Sequence, residues 1–101
     1  ELRDAQQPSV STDGRWLAFT RRPAYAKAQV EYMWEIIPQV WLADRECRQL
    51  WRVEASIAGA EFPTLSPDDT KLAWLEFNGG KVQTVIRDVA VITAGAPMET
   101  Y

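Results

Sequence analysis

Three aspartates lie where the chain is expected to turn: Asp13 in Ser11-Thr12-Asp13-Gly14, and Asp68 with Asp69 in Ser66-Pro67-Asp68-Asp69. A carboxylate so placed can hold a cation, exchange a proton, or accept a hydrogen bond from the backbone two residues on. Because Asp13 returns as Asp68, the third role is expected, a structural task performed once per repeat. Cys47 stands between Glu46 and Arg48. A neighbouring guanidinium favours the thiolate, but a polar turn reads as the place of an exposed surface thiol. A Ser or Cys nucleophile needs a base within hydrogen-bond reach, most often histidine, and the chain has none. There is no Gly-x-Ser-x-Gly elbow, no Walker-type glycine-rich loop and no Cys/His cluster at zinc spacing. Glu31, Glu35, Asp44 and Glu46 lack the Asp/Asn-Gly rhythm of a calcium loop and read as a solvated rim. No catalytic, cofactor-binding or metal-ligating residue is therefore assigned.

Binding is better represented than catalysis. Of five tryptophans, Trp16, Trp41, Trp51 and Trp74 fall on expected strands, where their area fills the space between neighbouring sheets. Trp34 lies outside that pattern, in one segment with Tyr25, Tyr32 and Met33. Aromatic side chains concentrate at interface hot spots, so Tyr25, Tyr32 and Trp34 form the candidate partner-binding patch. The alternative for Trp34 is that it folds back onto the sheet.

These residues are positioned by a repeat. Pro8 to Thr20 returns 55 residues later as Pro63 to Leu75, with five of thirteen positions identical, where about one identity would be expected from composition. Val40-Trp41-Leu42-Ala43-Asp44 matches Thr84-Val85-Ile86-Arg87-Asp88 at a spacing of 44. The eleven-residue difference between the two spacings falls between Thr20 and Val40, so the first repeat carries an insertion. A period of 44 lies within the roughly 40 to 45 residues of a propeller blade. Strands are expected at Pro8 to Ser11, Trp16 to Arg21, Gln39 to Ala43 and Gln49 to Glu54 in the first repeat. In the second they are expected at Pro63 to Ser66, Lys71 to Phe77 and Val82 to Arg87, with Met98 to Tyr101 as a truncated outer strand. Asn78-Gly79-Gly80 supplies a tight hairpin turn, and Thr93 to Pro97 a second turn. The near-continuous apolar character of the second strands implies cover on both faces.

The fold class is therefore all-β: two antiparallel propeller-type blades of about four short strands each, an incomplete propeller. Blade 1 covers about 1–58 with its insertion at 22–38, and blade 2 about 59–101. Apolar residues at 47% and charged residues at 25% describe an ordinary globular chain. A net charge of −3 with scattered lysines and arginines gives no field for a phosphate backbone, which argues against nucleic acid as a partner. The apolar runs are too short for a membrane-spanning helix, which needs about 20 residues, and the N-terminus reads as one from which a signal peptide is absent or already removed. One cysteine allows no internal disulfide.

Ser66-Pro67-Asp68, Ser11-Thr12-Asp13-Gly14, Trp16-Leu17-Ala18-Phe19, Leu72-Ala73-Trp74 and Val40-Trp41-Leu42-Ala43-Asp44 resemble the TolB-like, WD-like propeller repeats. In that family a Pro-x-x-Ser-Pro-Asp-Gly turn precedes a Leu-Ala-Phe strand. The departures are Thr12 for proline and Asp69 for glycine, and Asp69 must accept a conformation that glycine takes at less cost. The resemblance implies a non-catalytic module for protein interaction or sensing in a larger bacterial protein, placed in the periplasm. An alternative is the gating propeller of a prolyl oligopeptidase-like hydrolase, whose long excursions resemble the insertion. Partners are then another protein or the remaining blades of the same one. Two blades leave faces and edges open, so a homo-oligomer is a further expectation.

Overall fold

Each repeat begins on a bulged strand that ends in a Ser-x-Asp turn, and the turn sets up the hairpin that follows. The computed structural model describes residues 5–21, 38–53 and 59–101. In the first repeat β1 (Ala5–Val10), β2 (Trp16–Arg21), β3 (Gln39–Asp44) and β4 (Gln49–Arg52) run as an antiparallel meander. In the second, β5 (Ala60–Leu65), β6 (Lys71–Asn78) and β7 (Lys81–Asp88) form a separate antiparallel sheet. A short helix, α1 (Val89–Thr93), leads to β8 (Glu99–Thr100), which pairs with β4. The result is a first sheet ordered β1-β2-β3-β4-β8 and a second ordered β5-β6-β7.

The two segments matched at a spacing of 55 share local backbone geometry. Gln7 and Phe62 both have positive φ, 53° and 59°. Each sits where the register shifts, between Gln6 and Ser9 and between Glu61 and Thr64. Pro8 and Pro63 follow immediately, so a β-bulge aligned with a proline opens both repeats. Both turns are then closed by the same hydrogen bonds. Ser11 N donates to the Trp16 carbonyl and Ser66 N to the Lys71 carbonyl, both at 2.9 Å. In return Trp16 N donates to Ser11 Oγ at 2.9 Å and Lys71 N to Ser66 Oγ at 3.0 Å.

The two sheets bury a shared core. Ala18, Val40, Leu42 and Val53 from the first pack with Ala60, Leu65, Leu72 and Trp74 from the second, and Val89 of α1 closes one end. A second cluster of Phe19, Trp41, Ala43 and Leu50 lies on the opposite face of the first sheet and is also buried. Side chains stitch β1 to β5: Gln7 Oε1 accepts from Phe62 N at 2.9 Å and from Thr20 Oγ1 at 2.6 Å, while Ser9 Oγ accepts from Leu65 N at 3.1 Å.

Four expectations need correction. Met98 to Tyr101 is not the outer strand of the second repeat, because β8 adds to β4; Met98 N donates to the Leu50 carbonyl at 2.8 Å and Tyr101 N to the Arg48 carbonyl at 2.7 Å. Five strands and three replace the expected four and four. Trp41 does not fill the space between the sheets: it faces the other way, beneath the Arg21 guanidinium 4.9 Å from its ring centroid. Cys47 is half-buried against the Ala43 and Leu50 cluster instead of lying exposed in a polar turn. The fourth correction concerns β6, whose two faces are covered unequally.

Candidate functional site

The turn aspartates do structural work in both repeats. Asp13 Oδ1 accepts from Arg15 N at 2.9 Å and from Ser11 Oγ at 2.7 Å. Asp68 Oδ1 accepts from Thr70 N at 3.1 Å, from Thr70 Oγ1 at 2.8 Å and from Ser66 Oγ at 2.6 Å. Hydrogen bonds to the ionised form lower a carboxyl's pKa. Ser66 and Thr70 accordingly hold Asp68 at about 2, and the Arg15 N–H and Ser11 hydroxyl hold Asp13 below its usual value. Among the described residues no group of three or more His, Cys, Asp or Glu side chains converges as a metal-ligand set.

Asp69 has a different task from Asp68. It occupies the place that Gly14 holds in the first repeat, and both take positive φ, 62° and 72°. The non-glycine residue brings a carboxylate that reaches across to the first turn. Its Oδ1 accepts from Thr12 N at 2.9 Å, and its Oδ2 from Thr12 Oγ1 at 2.5 Å and Asp13 N at 3.4 Å. The departure from glycine therefore ties one repeat to the other.

Pairing registers show how the sheets face each other. Ala18 lies opposite Leu42 and Thr20 opposite Val40 in the first sheet; at the same repeat positions Ala73 lies opposite Ile86 and Leu75 opposite Thr84. The face carrying Ala18, Val40 and Leu42 is the one packed on the second sheet. The second sheet answers with Leu65, Leu72 and Trp74, equivalent to Val10, Leu17 and Phe19 on the far side of the first. One sheet's Ala18 face thus meets its neighbour's Leu17 face. The packing is head to tail, a heterologous contact that, among the described residues, leaves the Ile86 face of the second sheet without a neighbouring layer.

That face of the second sheet is the candidate interaction surface. Ala73, Leu75 and Phe77 on β6 and Val82, Thr84 and Ile86 on β7 share the face away from the core. Val82 and Ile86 are 58% and 57% exposed, whereas Leu42, the counterpart of Ile86, is fully buried. Contiguous exposed apolar side chains on a sheet mark an interaction site. The near-continuous apolar run of β6 was the available signal for this face, read as cover on both sides; only the Leu72 and Trp74 side is covered by described residues. The turn chemistry carried no sign of it.

The candidate patch Tyr25, Tyr32 and Trp34 lies outside the described residues, as do Glu31, Glu35 and nearly all of the 22–38 insertion. Asp44 is engaged in its own turn, accepting from Arg48 N at 2.8 Å and Gln49 N at 3.3 Å. Trp16 and Trp51 meet edge to face, with centroids 6.0 Å apart, and Trp51 Nε1 donates to the Gly95 carbonyl at 3.0 Å. No helix among the described residues is long and apolar enough to cross a membrane. Comparison with known proteins adds no assignment, since no family model and no curated protein matches the chain.

Proposed function

We propose that this chain is a non-catalytic repeat module, two blade-like units of a TolB-like or WD-like propeller, whose work is to bind another β-rich protein surface. The observation that supports this reading is the head-to-tail packing, in which the first sheet buries against the second the positions that the second sheet carries on its open face. Thr84 and Ile86 are exposed and Ala73 and Leu75 only half-buried at the positions where Val40, Leu42, Ala18 and Thr20 are buried. A repeat that cannot bury its face alone acquires its partner by stacking. The remaining blades of a larger bacterial, periplasmic protein, or a separate protein offering an equivalent sheet, fit this requirement.

The reading is tested with a solvatochromic apolar dye, anilinonaphthalene sulfonate, on the folded chain. Dye binding is expected, and Val82→Glu combined with Ile86→Glu reduces it without moving the urea midpoint. A folded chain that binds no dye, or a double variant that loses stability as a core substitution would, places these side chains in a closed interior and removes the proposal.

A further inference from the structure

Among the described residues the second sheet is open at its edge as well as on its face. Gly79 and Gly80 both have positive φ, 57° and 79°, so the β6–β7 hairpin closes through a two-residue turn with Asn78 and Lys81 facing each other. Such a turn makes that pair hydrogen-bonded, and antiparallel alternation then directs the N–H and C=O of Gln83, Val85 and Arg87 towards β6. The backbone groups of Val82, Thr84 and Ile86 are directed outward. The Ile86 carbonyl accepts from the Arg87 guanidinium at 3.2 Å, in keeping with that direction. Among the described residues no strand pairs with this edge. In the first sheet the equivalent edge, that of β3, is filled by β4. The segment after β7 leaves instead as α1 and β8, and β8 is held on the first sheet by pairing with β4 and by the Arg21–Glu99 ion pair at 2.8 Å.

Beside this edge lies a crevice of about 300 Å³, lined by Trp51, Trp74, Ile92 and Met98 together with Arg52 and Arg87. Arg87 belongs to the core-facing side of β7, since its register partner Leu72 is in the shared core. A strand added to β7 would direct every second side chain to the same side, into the crevice. We propose that the β7 edge and this crevice together form a strand-addition site for an extended segment of another protein. That segment carries an apolar side chain for the crevice and, on the same face, a carboxylate for Arg87. Main-chain bonds to Val82, Thr84 and Ile86 supply affinity and the crevice supplies selectivity, the usual division in β-strand addition. Charge opposes a second copy in the register that engages all three outward residues. Antiparallel self-pairing that sets Val82 opposite Ile86 of the copy also sets Lys81 opposite its Arg87, and like charges directly opposed are destabilising. The inference rests on the interaction-module reading only for the comparison between repeats, and it concerns the backbone edge where that reading concerns the apolar face.

The test uses the folded chain and a fluorescein-labelled, end-blocked heptapeptide, Glu-Val-Leu-Val-Glu-Val-Thr, followed by fluorescence anisotropy. Its leucine and two glutamates lie on one face of a strand and its valines on the other. Saturable binding is expected, weakened about tenfold when both glutamates are replaced by lysine. Thr84→Pro removes only an outward N–H, as edge positions tolerate, and is expected to weaken binding about tenfold with the melting temperature held. Should Thr84→Pro lower the melting temperature, Ala96→Phe, at another residue lining the crevice, carries the test by filling it, with the same loss of binding expected. Equal binding of the acidic and basic peptides, undiminished binding by the stable variants, or no binding of the acidic peptide would overturn the proposal. A dimer in sedimentation equilibrium that disappears with Thr84→Pro also overturns it, by giving the edge to a second copy. Loss of the edge with dye binding intact leaves the open-face reading standing, and the converse separates them equally well.

Discussion

The two sheets share matched strand and turn segments and end in different states. In the first, the Ala18 face and the Phe19 face are both buried; in the second, the Trp74 face is buried and the Ile86 face is open. Leu42 and Ile86 occupy equivalent positions with similar side chains, at 0% and 57% exposure. Apolar character prepares a face for cover, but the neighbouring layer makes it a core. The Ser-x-Asp turns, by contrast, are alike in both sheets, because their hydrogen bonds close within six residues and need no neighbour.

The difference is broken most directly by truncating equivalent positions. Leu42→Ala is expected to cost about 2 to 5 kcal/mol, as buried leucines do, whereas Ile86→Ala stays within about 1 kcal/mol of the parent, as exposed positions do. Urea denaturation of both variants reads the contrast; equal losses would mean that the open face is covered in solution. A smaller effect is expected where the sheets are tied. Asp69→Gly relieves the positive φ but removes three acceptor contacts to Thr12 and Asp13, for a net loss of about 1 kcal/mol. A stability gain would mean that the tether is idle. The smallest effect should leave the sheets indistinguishable. Asp68, lowered from 3.8 to about 2, contributes stability that is present above the unfolded value and fades as the pH falls from about 4 towards 2. Asp13 shifts in the same direction. Carboxyl chemical shifts followed by NMR check this, and Ser66→Ala should move the Asp68 midpoint upward.

Local chemistry made much of this legible in the chain itself. The duplicated Pro, Ser, Asp and Leu-Ala positions announced the turns, the hairpins and the spacing of 55, and the Asn78-Gly79-Gly80 turn appears at the end of β6 as expected. The positive φ at Asp69 was also foreseeable from the glycine it replaces. Its reach to Thr12 was not, since the two are 57 residues apart and meet only when the sheets stack. The same limit hid the partition of β6 into a covered and an open face and the destination of β8. Periodicity shows that a side chain is apolar and which neighbours share its side of a strand. It does not show which layer arrives.

The clasp between Arg21 and Glu99, with β8 laid along β4, couples the first sheet to the last of the described residues. Its consequence is temporal. During synthesis the first meander can form early, but its fifth strand is delivered only after the whole second repeat has left the ribosome. Contacts of such long sequence separation slow folding and leave the β4 edge exposed while the chain is incomplete. The β4 edge therefore stays unpaired until the second sheet and α1 have been made.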